Sequence, residues 1–310
     1  MSTASYENEQ LQFTTTTFAW KSFLAGTFGG CAGLIVGHPL DTVKVRLQTQ
    51  TKAHSVYRGT AHCFTSIVKY EGVRGLFKGM SSPMAGVALV NALAFGVYES
   101  ALNFQMHGSE ADATLKQMFV AGIVTGTVNS FVSCPMELAK IRLQNQGPEQ
   151  LKSGNYYKGP MDCFLKTYRA GGIAACYRGL WPTILRELSF GPYFVSYEIL
   201  CRMVTPPGKT TADVSGLGLI VAGGFAGICA WVSTYPFDVV KTKIQADLVG
   251  SGQPRYRGVI DCMVKCYREE GISILFRGMN ATILRAFPLN AATFFIYTQS
   301  MRMLNSDQDA

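Results

Sequence analysis

The stretch PLDTVKVRLQ, residues 39–48, occurs in three versions along the chain. It returns as PMELAKIRLQ at 135–144 and as PFDVVKTKIQ at 236–245, with a proline, an acid, a lysine and a glutamine at the same offsets. Repetition at a nearly fixed period indicates that one structural unit has been copied in tandem, here in units of roughly 100 residues.

Two shorter signals follow every copy of this stretch. The first is a tyrosine, a basic residue and a glycine, at 57–59, 157–159 and 256–258. The second is an aromatic residue, a basic residue and a glycine, at 77–79, 177–179 and 276–278. A unit this small cannot bury a core alone, so we expect the three to close into one threefold ring.

The three signals also set the expected boundaries. We expect a single domain between two short tails: a tail at 1–17, repeats at about 18–110, 111–208 and 209–304, and a tail at 305–310.

The composition favours a membrane protein. Hydrophobic residues make up 48% of the chain and charged residues only 15%, where soluble proteins have about a quarter charged. The mean hydropathy is only +0.14, so polar segments must alternate with the apolar ones. We therefore predict an all-α membrane protein with six transmembrane helices in three pseudo-symmetric repeats, joined by short amphipathic helices such as 59–71. The first helix is expected from Trp20 to Gln50.

Other classes of function find little support in the sequence. The net charge of +8 comes from basic residues inside the repeated motifs, whereas nucleic-acid binders carry one exposed basic patch. The nine cysteines form no C-x-x-C pair, and the four histidines form no repeated constellation. We therefore expect no nucleic-acid partner, no metal site and no enzyme activity.

The acid, lysine and glutamine of each copy are spaced to share one face of a helix, and the proline before them bends that helix. Charges at membrane depth are costly unless they are paired or hydrated, so we expect the three faces to meet as a plug that can close. Solvated surface pairs are the alternative, although every copy follows an apolar stretch. The plug residues are Pro39, Asp41, Lys44, Gln48, Pro135, Glu137, Lys140, Gln144, Pro236, Asp238, Lys241 and Gln245.

These motifs resemble those of the mitochondrial carrier family across roughly residues 18–304. The resemblance implies a monomeric, multi-pass six-helix barrel in the mitochondrial inner membrane, with a central site reached alternately from either side. It also implies a matrix gate in which Asp41 pairs with Lys140, Glu137 with Lys241 and Asp238 with Lys44, each braced by a glutamine of the motif. One departure is Gly171, where the family pattern has an acid.

The family also has a second gate and bound lipid. The motif of the cytoplasmic gate is poorly kept, so we expect a weak gate that permits uniport beside exchange. Its candidate residues are Tyr98, Glu99, Tyr197, Glu198 and Tyr297. Glycines at helix starts resemble the family's cardiolipin sites, the one structural cofactor expected. They are Gly59, Gly79, Gly159, Gly179, Gly258 and Gly278.

The positions where the three repeats differ should determine which substrate binds. Counting from the closing glycines, as the family implies, gives the substrate contacts Gly86, Val87, Arg186, Glu187 and Arg285. Adjacent Arg186 and Glu187 suit a zwitterion, unless they merely neutralise each other. The stretches around Pro39, Pro135 and Arg285 resemble the carnitine, ornithine and basic amino acid branch.

We therefore expect a carrier of lysine, arginine or ornithine, a small zwitterionic or cationic metabolite. A carnitine or acylcarnitine carrier is the alternative, because the first-unit positions lack an acid for a second ammonium. A scaffold with the fold but without transport is a more remote one.

Overall fold

The computed structural model describes residues 3–50, 56–106, 114–147, 156–187, 232, 234–247 and 254–306. Within these ranges all regular structure is helical, as predicted. The elements are α1 Thr3–Thr49, α2 Thr60–Glu71, α3 Ser81–Met106, α4 Leu115–Gln144, α5 Pro160–Cys176, α6 Leu180–Glu187, α7 at 234–246, α8 Val259–Glu270 and α9 Met279–Ser306. Short 3₁₀ helices at Val73–Phe77 and Ile272–Phe276 connect α2 to α3 and α8 to α9.

Three described segments are long and apolar enough to cross a membrane: Trp20–Thr49, Val73–Met106 and Lys116–Gln144. They correspond to the first three expected spans. The sixth expected span corresponds to α9. The fourth expected span, the uncharged stretch at 188–197, and most of the fifth, at 214–237, lie outside the described residues.

The first helix extends further than the sequence suggested. It begins at Thr3, not at Trp20, and ends at Thr49. Residues 3–19 contain neither proline nor glycine, so nothing in them interrupts the helical backbone hydrogen bonds. The membrane-spanning part of α1 still begins at Trp20.

Helix α1 lies against α9, the last helix, and small residues allow the close approach. A Cβ added at Gly29 would lie 2.8 Å from the carbonyl oxygen of Thr293, and one at Gly33 would overlap the Thr293 hydroxyl. Such contacts let two backbones approach within van der Waals distance, the arrangement that small residues favour in membranes. The first and last repeats are therefore joined along this seam.

The short helices α2, α5 and α8 are the predicted amphipathic connectors. Each buries the cysteine that follows its glycine signal: Cys63 lies with Val43 and Leu47, and Cys262 with Val240 and Ile244. Cys163 packs likewise against α4. A cysteine behaves here as a small apolar side chain, which explains its recurrence in all three units.

Candidate functional site

Three ion pairs join the ends of the proline-containing segments. Lys140 of α4 pairs with Asp41 of α1, Lys241 of α7 pairs with Glu137 of α4, and the Lys44 Nζ lies 2.6 Å from Asp238 Oδ2. Each pair links one repeat to another, so the pairs form a closed ring, hereafter the ring. They are the pairs that the family resemblance implies. Asp41, Lys44 and Asp238 are nearly buried, and buried charges persist only when they are paired in this way.

The glutamines differ from the implied arrangement. Gln48 donates to Asp238 Oδ2 at 3.3 Å and so braces its ion pair. Gln144 instead donates to the Thr42 hydroxyl at 3.1 Å, and Gln245 lies 3.7 Å from the Cys134 sulfur. Bracing of the ion pairs by Gln144 and Gln245 is therefore wrong for this structure, because their amides reach nearer side chains of the neighbouring unit.

A pattern missed in the sequence explains where these amides lie. Each glutamine contacts the residue that precedes the proline of another unit: Gln48 with Tyr235, Gln144 with His38 and Gln245 with Cys134. The position before the proline varies in chemistry but is always buried. The sequence signal for this contact is that the residue before the proline has the same position in all three repeats.

In the first two repeats, the arginine two positions after the ring lysine ties the ring to the connector helix. In the first repeat, Glu71 accepts from Arg46 Nη2 at 2.8 Å and from Lys78 at 2.5 Å. Burial acts to raise the pKa of the Glu71 carboxyl, but these hydrogen bonds hold it below its ordinary value. The pairing stabilises the fold at neutral pH and is lost as the pH falls through the lowered pKa.

The second repeat has Gly171 at the position of Glu71. Its buried Arg142 donates to the Thr167 hydroxyl at 2.7 Å and to the Gln245 carbonyl at 3.1 Å. Neutral acceptors thus replace the carboxylate, so Arg142 keeps hydrogen bonds but lacks the ion pair that Arg46 forms with Glu71. The link between ring and connector is weaker in the second repeat.

Gly171→Glu should therefore stabilise the protein. Gly171 has φ −158° and ψ 20°, so glutamate needs no left-handed backbone there, although the backbone must shift towards the helical conformation that Glu71 has at the end of α2. A new pair with Arg142 worth about 1 kcal/mol would raise the melting temperature by about 2–4 °C. Gly171→Gln is the uncharged control, and thermal unfolding of both variants in detergent is the measurement. An equal melting temperature for the two variants would contradict the assignment.

A cavity of about 460 Å³ lies beside the ring. Its wall contains the ring residues Asp41, Glu137 and Lys140, together with Arg186 and Arg285. Gly86 and Val87 border it as well. Four of the five expected substrate contacts therefore meet in one space. Polar residues that the sequence reading did not select, Asn91, Ser133 and Thr293, also line it.

Both cavity arginines are bound to acids of the ring. Arg186 Nη1 lies 3.3 Å from Glu137 Oε1, and Arg285 Nη1 lies 3.6 Å from Asp41 Oδ1. The fifth expected contact, Glu187, pairs with Arg186 Nη2 at 2.5 Å and packs against Gly126 of α4. The cavity therefore presents both signs of charge at its boundary with the ring.

The candidate cytoplasmic gate is described only in part. Tyr98 and Glu99 lie on α3 and Tyr297 on α9, and Glu99 forms no ion pair with any described residue. Tyr197 and Glu198 lie outside the described residues.

Two of the glycines selected as lipid contacts border one cleft of about 400 Å³ at the starts of α2 and α9. Gly59 and Gly278 lie there beside Arg58 and Arg277. No capping side chain accepts a hydrogen bond from the first N–H groups of α2. Gly79 and Gly179 share the positive φ of Gly278, and Gly159 and Gly258 precede α5 and α8 as Gly59 precedes α2.

Comparison with known proteins gives three matches to one family model, described as mitochondrial carrier protein, at 15–109, 112–207 and 213–308. The rat (Rattus norvegicus) mitochondrial basic amino acids transporter is 47% identical over 289 residues, covering 93% of this chain and 90% of that protein. The human (Homo sapiens) protein of the same name is 48% identical, covering 89% and 88%. The mouse (Mus musculus) mitochondrial carnitine/acylcarnitine carrier protein is 39% identical, covering 92% and 95%.

Proposed function

The chain belongs to the mitochondrial carrier family, and we propose that it carries the basic amino acids lysine, arginine and ornithine across the mitochondrial inner membrane. Two relatives at 47% and 48% identity carry the name mitochondrial basic amino acids transporter. The observation that carries the proposal is the pairing of Arg186 and Arg285 with ring acids at the wall of the cavity.

A basic amino acid has one carboxylate and two cationic groups. Its carboxylate matches a guanidinium, which can bind both oxygens at once. Its cationic groups match the acids that the arginines hold, Glu137, Asp41 and Glu187. Binding then exchanges ion pairs within the protein for ion pairs with the cargo, so little charge is left unpaired in a space of low dielectric.

This exchange also couples the cargo to the ring. Glu137 binds both Lys241 of the ring and Arg186 of the cavity, and Asp41 binds both Lys140 and Arg285. A cargo that draws the arginines away changes the balance of charge around both acids. The ring then loosens when the cavity is filled, as alternating access requires.

Carnitine is the second candidate cargo. It has one carboxylate and a quaternary ammonium, and the first-repeat side of the cavity is apolar at Val87 and Val90. A trimethylammonium group needs apolar contact and has no hydrogen to donate. The relative at 39% identity is named as a carrier of carnitine and acylcarnitine.

Uptake into proteoliposomes separates these candidates. Purified protein would be tested with labelled lysine, arginine, ornithine and carnitine, each with and without internal cargo. Uptake of the three amino acids above that of carnitine is expected. Uptake of carnitine alone would select the second candidate, and uptake of none would favour a non-transporting scaffold. Uptake without internal cargo is expected from the poorly kept cytoplasmic motif, and its absence would overturn the uniport proposal.

We further propose that the cleft at Gly59 and Gly278 binds a cardiolipin phosphate and that the protein acts as a monomer. The uncapped N-terminus of α2 and the exposed Arg58 suit an anionic headgroup, whereas the Arg277 guanidinium already pairs with Glu270 at 2.7 Å. One chain supplies the whole ring and cavity, so a second copy is not required. A monomer mass in detergent by light scattering is the expected result, and a stable dimer would contradict it.

Arg58→Glu should weaken stabilisation by cardiolipin. The reversal places a negative charge beside the cleft, so the rise in melting temperature on adding cardiolipin should fall to about half, since a positive residue near an anionic lipid contributes about 1 kcal/mol. Arg302→Glu, an exposed site on α9, is the control of equal charge. Equal cardiolipin effects in both variants would argue against the cleft.

A further inference from the structure

The side chain of Met136 packs against Gly86, in the space that a larger residue at position 86 would fill. Gly86 itself has no side chain that could contact the cargo. The two residues lie on neighbouring helices, α3 and α4. A Cβ added at Gly86 would overlap the terminal methyl of Met136 and lie 2.8 Å from its sulfur. The end of the Met136 side chain therefore occupies the notch that glycine leaves in α3.

The backbone of Met136 is also fixed by α3. The Ser82 hydroxyl, which is nearly buried, donates to the Met136 carbonyl at 2.7 Å. This contact lies one helical turn from Gly86. The backbone carbonyl and the terminal methyl of Met136 therefore both contact the same face of α3. The position of Met136 does not depend on a bound cargo.

Met136 also lines the cavity, next to Glu137 in sequence and with Val87 and Val90 in the same wall. The other repeats have Leu40 and Phe237 at this position, so the residue is apolar in each unit but differs in length and shape. The charged groups of the cavity meet the same carboxylate and ammonium in every basic amino acid. The apolar wall of the cavity can therefore distinguish basic amino acids by the length of their aliphatic chains.

We propose that Met136, seated on Gly86, determines which length of basic amino acid the cavity accepts; this rests on the function proposed above. Lysine, arginine and ornithine differ in the length of the chain between their charged ends. A hydrophobic wall distinguishes cargoes that differ by one methylene by about tenfold or more. Methionine suits this role because it is flexible and fills an irregular gap.

Gly86→Ala tests the packing of Met136 against Gly86. The new methyl group has only the flexible end of Met136 within van der Waals distance, so that end must leave the notch, and the cavity is the open space beside it. Uptake of arginine, the longest of the three, should fall about tenfold relative to ornithine. Gly96→Ala on the same helix is the matched control, because nothing lies within 4 Å of a Cβ there.

Met136→Ala should have the opposite effect, raising arginine uptake relative to ornithine. The double variant Gly86→Ala/Met136→Ala should match Met136→Ala and not Gly86→Ala, because without the Met136 side chain the new methyl group has nothing to displace. Arginine to ornithine ratios within about twofold of the parent in all three variants would overturn the inference. A parent protein that carries no basic amino acid would instead defeat the proposed function and this inference with it.

Discussion

Replacing Arg186 by alanine is expected to lower lysine uptake into proteoliposomes by about a hundredfold. A bound cargo would cover the half-buried Arg186, and truncating one partner of a charge pair that is buried in this way costs about 2–5 kcal/mol, where 2.7 kcal/mol corresponds to a factor of about 100. The loss is expected to be large because Arg186 has two roles. It is the expected partner of the cargo carboxylate, and it binds both Glu137 and Glu187.

Two further variants make the Arg186 result specific. Arg186→Lys keeps the charge but loses the planar fork of the guanidinium, so uptake should fall by only about tenfold. Arg169→Ala removes an exposed arginine of α5 and should leave uptake unchanged. A parental rate for Arg186→Ala, in protein that unfolds at the parental temperature, would remove Arg186 from the binding site.

The second large effect is expected at the Lys44–Asp238 pair of the ring. Lys44→Asp places two acids next to each other, and breaking a buried pair in this way costs about 3–5 kcal/mol. Uptake should fall by at least about thirtyfold. This pair suits a charge swap because neither partner forms an ion pair with Arg186 or Arg285 among the described residues.

The exchanged variant Lys44→Asp/Asp238→Lys should recover uptake to within about threefold of the parent. The Gln48 amide that now donates to Asp238 has an oxygen without a hydrogen-bond partner, and that oxygen can accept from a lysine at 238. A double variant as inactive as the single one, although folded, would show that the pair does more than close the ring.

Much of the fold was predictable because the repeat is strong. Three copies of one motif predict that the acid of each copy meets a lysine of another copy, and the family resemblance supplies the specific pairs. Cys63, Cys163 and Cys262 recur four residues after the first glycine signal of each unit, and the structure shows that all three are buried. Repetition turns a weak pattern in one unit into a strong one in three.

The features that the sequence did not predict depend on contacts between units. The partner of Gln144 could not be read from its own helix, because His38 and Thr42 belong to another repeat. Met136 had no signal of its own, and its role became visible only where it overlaps the missing Cβ of Gly86. The start of α1 at Thr3 lies in a polar segment without hydrophobic periodicity, the primary signal for a helix.

The central claim is that the cavity binds both the carboxylate and the side-chain cation of a basic amino acid. It is tested most directly by initial uptake rates of lysine, norleucine and cadaverine in proteoliposomes of the parent protein. Norleucine lacks the side-chain ammonium and cadaverine lacks the carboxylate. Lysine is expected to enter at least about tenfold faster than either, because each lost group leaves a charged side chain of the cavity unpaired. Norleucine entering as fast as lysine would contradict the claim.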